Sequence, residues 1–257
     1  MKFLQSLSAQ VSLRTQGAIL ALGLLFIILD ALTEPMNPAI DLAWVTVIIC
    51  GLPLLINSVQ SILDHLEIHA NFLIVIAMVA LIAIGDYHTA AYVGLIVHGG
   101  FFLEQLITGD VHYTLDDDML PTMPTQLVAL RQGINNYSSV IVVAVMLLSM
   151  GSYALTQNFM HTITLLVILC PCSLELVLVA LMMGSLVDEN SPTAGLSKDA
   201  KQCHLGLLIV SILFHIAIIG AGVLGTINPV TAAALHGLAR LGLVYNLKVL
   251  NGSLCIA

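Results

Sequence analysis

The chain has 257 residues, 59% of them hydrophobic and 9% charged, a net charge of -8 and a mean hydropathy of +1.03. This composition excludes a soluble domain and defines an integral membrane protein, and seven Lys and Arg spread over the whole length exclude a basic patch for nucleic acid. The apolar runs reach the roughly 20 residues that a helix needs to cross a bilayer and lack the short alternating segments of a membrane barrel, so the fold class is all-α.

Residues 1–15 form an amphipathic segment with Phe3, Leu4, Leu7 and Val11 on one face, suited to the membrane surface and not followed by a cleavage signal. A leading pair of spans occupies 16–63. The first runs from Gln16 to Leu32 and the second from Leu42 to Leu63, where Gly51 and Pro53 predict a kink and send Asn57, Ser58, Gln60 and Ser61 along the inner interface. Residues 64–257 then carry six more spans: Asn71 to Gly85, Thr89 to Ile107, Ser138 to Leu155, a span after His161 ending near Val187, Leu205 to Gly225, and Val230 to Leu250. The segments Thr108 to Tyr137 and Asp188 to His204 read as polar loops. The expected total is about eight transmembrane helices. With the N-terminus in the cytoplasm, Lys2, Arg14, Arg131, Lys198, Lys201 and Lys248 all fall on the inner side and the outer links hold no Lys or Arg, which places both termini in the cytoplasm.

The stretch with the most chemistry is Leu165 to Leu178, LLVILCPCSLELVL. Pro171 removes one helical hydrogen bond and frees carbonyls around it. Cys170 and Cys172 flank it with soft thiolate ligands suited to Cu(I) or Zn, and Glu175 follows one turn later. Isolated cysteines in a helix are commonly small buried hydrophobes, but polar groups inside a charge-poor span are costly and are kept for function. Cys170 and Cys172 are therefore candidate metal ligands.

This pattern resembles the membrane domain of the heavy-metal (soft-metal, Cys-Pro-Cys type) P-type ATPases. Two leading helices, the second broken at a glycine, precede a six-helix core whose fourth helix carries Cys170-Pro171-Cys172. Further points of likeness are Asp86 after the third span, the stretch Gly99-Gly100-Phe101-Phe102-Leu103-Glu104, the tail Asn228-Pro229, His236, Asn246 and Lys248, and Leu127 to Gly133, LVALRQG, which resembles the strand that opens the family's actuator domain. The resemblance implies a soft transition metal as cargo, with His236 and His215 as weaker candidate ligands beside the cysteines.

The departures from that family point to a different role. Such pumps insert an actuator domain and a phosphorylation and nucleotide-binding unit into the two segments occupied here by Thr108 to Tyr137 and Asp188 to His204, and neither segment is long enough to bury a domain's core. No Asp-Lys-Thr-Gly phosphorylation motif and no Gly-Asp-Gly hinge motif occurs. The expectation is a chain that is not an enzyme and binds no nucleotide. Arg240, one turn after His236, would repel an incoming cation and needs an internal acceptor. Glu175 is the acceptor expected from sequence, with snorkelling of Arg240 to the inner interface as the alternative.

Other polar residues carry less. His215 reads either as a relic of the metal site or as a hydrogen-bonded core histidine. His98 and Glu104 fall on different helical faces and serve separate contacts. His65, Glu67 and His69 read as solvated, Asp116 to Asp118 as an acidic turn without calcium-loop spacing, and Met146, Met150, Met160, Met182 and Met183 as packing. Cys50 and Cys255 read as spectators. Small residues at Gly99-Gly100 and at Gly220, Ala221, Gly222 would let partner helices approach closely. Two functional expectations follow: a catalytically inactive structural or accessory subunit of a larger membrane complex, with other membrane-protein subunits and the bilayer as partners, or a soft-metal binding or passive transport protein, or half-transporter, whose ATPase domains come from another chain.

Overall fold

The computed structural model describes residues 13–33, 42–65, 71–108, 125–170 and 198–250. Among them are eight helices and no strands: α1 Leu13–Thr33, α2 Ala43–His65, α3 Asn71–Ala83, α4 Tyr87–Thr108, α5 Thr125–Thr156, α6 Phe159–Ile168, α7 Lys198–Val223 and α8 Pro229–Leu250. Four of them, α1, α2, α4 and α5, are long and apolar enough to cross a membrane, while α3, α6 and the Ile209–Val223 part of α7 are shorter apolar helices. A helix satisfies its backbone N–H and C=O groups internally, which is why apolar segments of this length take that form in lipid. The regular structure of the described residues is all helical, and the four long apolar helices mark a membrane protein.

The helix α4 is the hub, packing against α1, α2, α3 and α8, and α6 joins α3, α5, α7 and α8 on the other side. Where α4 meets α2 the backbones come close because Gly94 has no side chain: a Cβ there would lie 2.8 Å from Met78 Cε of α3 and 3.5 Å from Cys50 Cβ of α2. Thr46 of α2 donates its hydroxyl to Gly23 O of α1 at 3.2 Å, so a fully buried polar side chain is satisfied across the α1–α2 junction. Outward faces are apolar, with Leu155 88% exposed and Leu224 78% exposed. Side chains like these are stable only against lipid or another protein.

Three local outcomes differ from or sharpen the sequence reading. Pro53 lies inside α2, which remains one helix from Ala43 to His65. Helix α5 begins at Thr125, so residues 125–137 are helical where a polar loop was expected, and Leu127 to Gly133 form helix instead of a strand. The physical reason is that a strand needs a partner for its backbone groups, whereas a segment next to an apolar span extends the existing helix without a new nucleus. Helix α6 ends at Ile168, with Leu169 N–H bonded to Leu165 O. Cys170 follows outside the helix, as expected of a residue that precedes proline and is disfavoured from helical geometry.

Candidate functional site

The candidate site is built on α4, α7 and α8. Helix α8 carries His236 and, four residues later on the same face, Arg240. The Arg240 Nε donates to Glu104 Oε2 of α4 at 2.8 Å, and the two side chains are 19% and 21% exposed. Its guanidinium carbon also lies 4.8 Å from the centroid of the Phe101 ring, one turn back on α4. A charge-assisted hydrogen bond and a cation–π contact therefore hold the cation between two helices. Sequence reasoning expected Glu175 in this role. The acceptor among the described residues is Glu104, because α4 is the principal neighbour of α8; Pro171, Cys172 and Glu175 lie outside the described residues.

One turn above Arg240, the ring of His236 meets that of His215 on α7, with centroids 5.9 Å apart and planes at 84°. His215 Nδ1 is 3.0 Å from Ser211 O one turn earlier on its own helix. A carbonyl only accepts, so Nδ1 carries a proton and donates this bond. His236 is buried. Cys170 is buried in the apolar core at the end of α6. Among the described residues no three His, Cys, Asp or Glu side chains are grouped as a metal ion requires, so the described donors do not by themselves form a metal site. What they do form is a polar layer across α4, α7 and α8 whose positive charge is supplied by the protein's own Arg240.

Sequence reasoning passed over a second polar junction. Asp30, buried near the end of α1, accepts from Leu42 N–H at 2.7 Å just ahead of α2, and its other oxygen lies 2.8 Å from His88 Nε2 at the start of α4. Trp44 of α2 and Tyr87 of α4 stack beside it, with centroids 4.6 Å apart. The signal was present as a carboxylate inside an otherwise apolar span, where ionisable groups mark sites that need a partner. An open cavity of about 290 Å³ lies where α4, α6 and α8 begin, lined by Thr89, Asn158, His161, Thr164 and Asn228 among others. Asn158 and Asn228 turn their side-chain oxygens back to the N–H groups of His161 and Thr231, so the caps consume these donors. This cavity lies about two helical turns from His236 and is separate from the Arg240 pair.

Compared with protein-family models, curated proteins and solved structures, the chain matches none.

Proposed function

We propose that the chain is a non-catalytic, heavy-metal-ATPase-like membrane subunit that serves a larger membrane complex as a structural or accessory component. In this reading it crosses the bilayer about eight times, with both termini on the cytoplasmic side. The observation that carries it is the ion pair of Arg240 with Glu104 over Phe101. A transporter needs an interior that accepts a cation and then releases it, whereas a tethered guanidinium supplies that charge permanently and joins α8 to α4. The lack of a phosphorylation motif and the broad apolar faces of α1, α5 and α7 agree with a role in assembly.

The test is a comparison of wild type with Cys170→Ser/Cys172→Ser, purified in mild detergent with associated subunits and assayed for bound metal. Retained stoichiometric partners in wild type, with no soft metal to lose in the variant, are expected. Stoichiometric Cu or Zn that disappears in the variant while the assembly stays intact would instead establish soft-metal handling.

A further inference from the structure

Two buried polar side chains on neighbouring helices have no hydrogen-bond partner among the described residues. His98 of α4 is 6% exposed and both of its ring nitrogens are unpaired, and Ser58 of α2 is 3% exposed with its hydroxyl unpaired. Ser149 shares this condition but sits apart on α5.

The packing brings the first two to one seam. Helices α2 and α4 run in the same direction: Trp44 meets Tyr87 near their starts, and Cys50 meets the Gly94 position two turns further in. Four residues beyond that contact, Leu54 is level with His98. Since His98 follows Gly94 by one turn, it lies on the face of α4 turned toward α2. On α2 the residues Ala43, Val47, Cys50, Leu54 and Ser58 form the buried stripe, so Ser58 belongs to the face that packs inward. It lies one turn deeper than His98, roughly 6 Å along the axis. Gln105 continues the same face of α4 two turns beyond His98.

Neither group has taken the local remedy open to it. A helical hydroxyl can bond to the carbonyl four residues back, as Thr164 does to Met160 O at 2.7 Å, and Ser58 does not. A neutral imidazole has one donor and one acceptor nitrogen, and burying both unpaired in apolar surroundings is costly. A water held in a protein interior needs two to four polar partners, and an imidazole and a hydroxyl one turn apart supply them. The unpaired groups on this seam are thus suited to a single bridging molecule that both donates and accepts.

We propose that the α2–α4 seam is a water-binding site in which an exchangeable water bridges His98 to Ser58, reached along the line of Ser58 and Gln105 from the Thr108 end of α4. This site is distinct from the Arg240 pair and stands whatever the chain's role in a complex.

The full chain is tested in lipid vesicles with ¹⁵N-labelled histidine. Nine histidines contribute signals, and subtraction of the His98→Phe spectrum assigns the one of interest, with His98→Asn as a second assigning variant. A ring nitrogen of His98 with magnetisation transfer from water is expected. Thermal unfolding of His98→Leu, Ser58→Ala and the double variant supplies the second readout: each single change lowers the Tm, and the double variant is no less stable than the worse single one, because a shared bridge is lost only once. The proposal is overturned by a His98 ring without water transfer, by single variants that raise the Tm, as removal of a dry unpaired group would, or by Tm changes that simply add.

Discussion

Two polar contacts between helices show what individual residues contribute. Arg240 and Glu104 are each about one-fifth exposed, so water moderates both the cost of burying them and the attraction between them. Arg240→Leu leaves Glu104 facing Phe101 without its cation and is expected to cost about 2–4 kcal/mol in unfolding free energy, somewhat under the loss seen when fully buried pairs are broken. Replacing both, as Arg240→Met with Glu104→Leu, is expected to restore most of that loss, because no unpaired charge remains. Equal destabilisation of the single and double variants in a detergent unfolding series would show that the pair does not act as a unit. Asp30 is different in that its carboxylate joins three helices, accepting the Leu42 N–H and bonding His88. Asp30→Ala is expected to cost roughly 2 kcal/mol. The same unfolding series checks this, and Asp30→Asn should recover part of the loss, since its amide oxygen still accepts from Leu42.

The helices depend on their ends and on close approach. Helix α6 is only 10 residues long, too short to be stable without packing and caps. Its N-cap Asn158 accepts from His161 N–H, so Asn158→Ala is expected to cost about 1 kcal/mol and to speed amide hydrogen exchange at His161 ahead of the rest of the helix. At its other end α6 stops before Pro171. Where α4 meets α2 and α3, the tip of Met78 of α3 stands 2.8 Å from where a Cβ on Gly94 would be and Cys50 Cβ of α2 3.5 Å away, so a branched side chain there must displace Met78. Gly94→Val is expected to cost about 1–3 kcal/mol by overpacking. Its effect should fall sharply when Met78 is shortened to Ala in the same chain, a compensation that a general loss of folding would not show.

The whole molecule has a packed interior around α4 and wide apolar faces turned outward. Gly99 and Gly222 are already occupied, by Leu20 of α1 and Ile168 of α6, while among the described residues Gly100 and Gly220 have nothing within 4 Å of where a Cβ would stand. Of the small-residue faces read from the sequence, those two glycines are left open by the described residues and would admit a neighbouring helix. The proposed eight-span topology makes a direct prediction: affinity tags at the two ends are both protected in sealed cells and both cleaved in inverted vesicles. Opposite protection of the two tags would require an odd number of spans.

The helical class and the positions of most helices were legible in the residues, because an apolar run of bilayer length can satisfy its backbone in lipid only as a helix. The backbone break beside Pro171 was legible, since the restriction it places on Cys170 is local, but the span was expected to continue from His161 to near Val187, whereas α6 ends at Ile168. The identity of Arg240's partner was not legible. A charge inside a span announces that it needs a counter-charge, but Glu104 and Glu175 answer that need equally well in the linear chain, and packing of α8 on α4 makes Glu104 the described acceptor. The unpaired state of His98 likewise depends on what surrounds it across the α2–α4 seam. The sequence by itself determined the membrane class and the helical segments, which depend on neighbouring residues along the chain, whereas pairings between residues as far apart as Glu104 and Arg240 were decided only by tertiary packing.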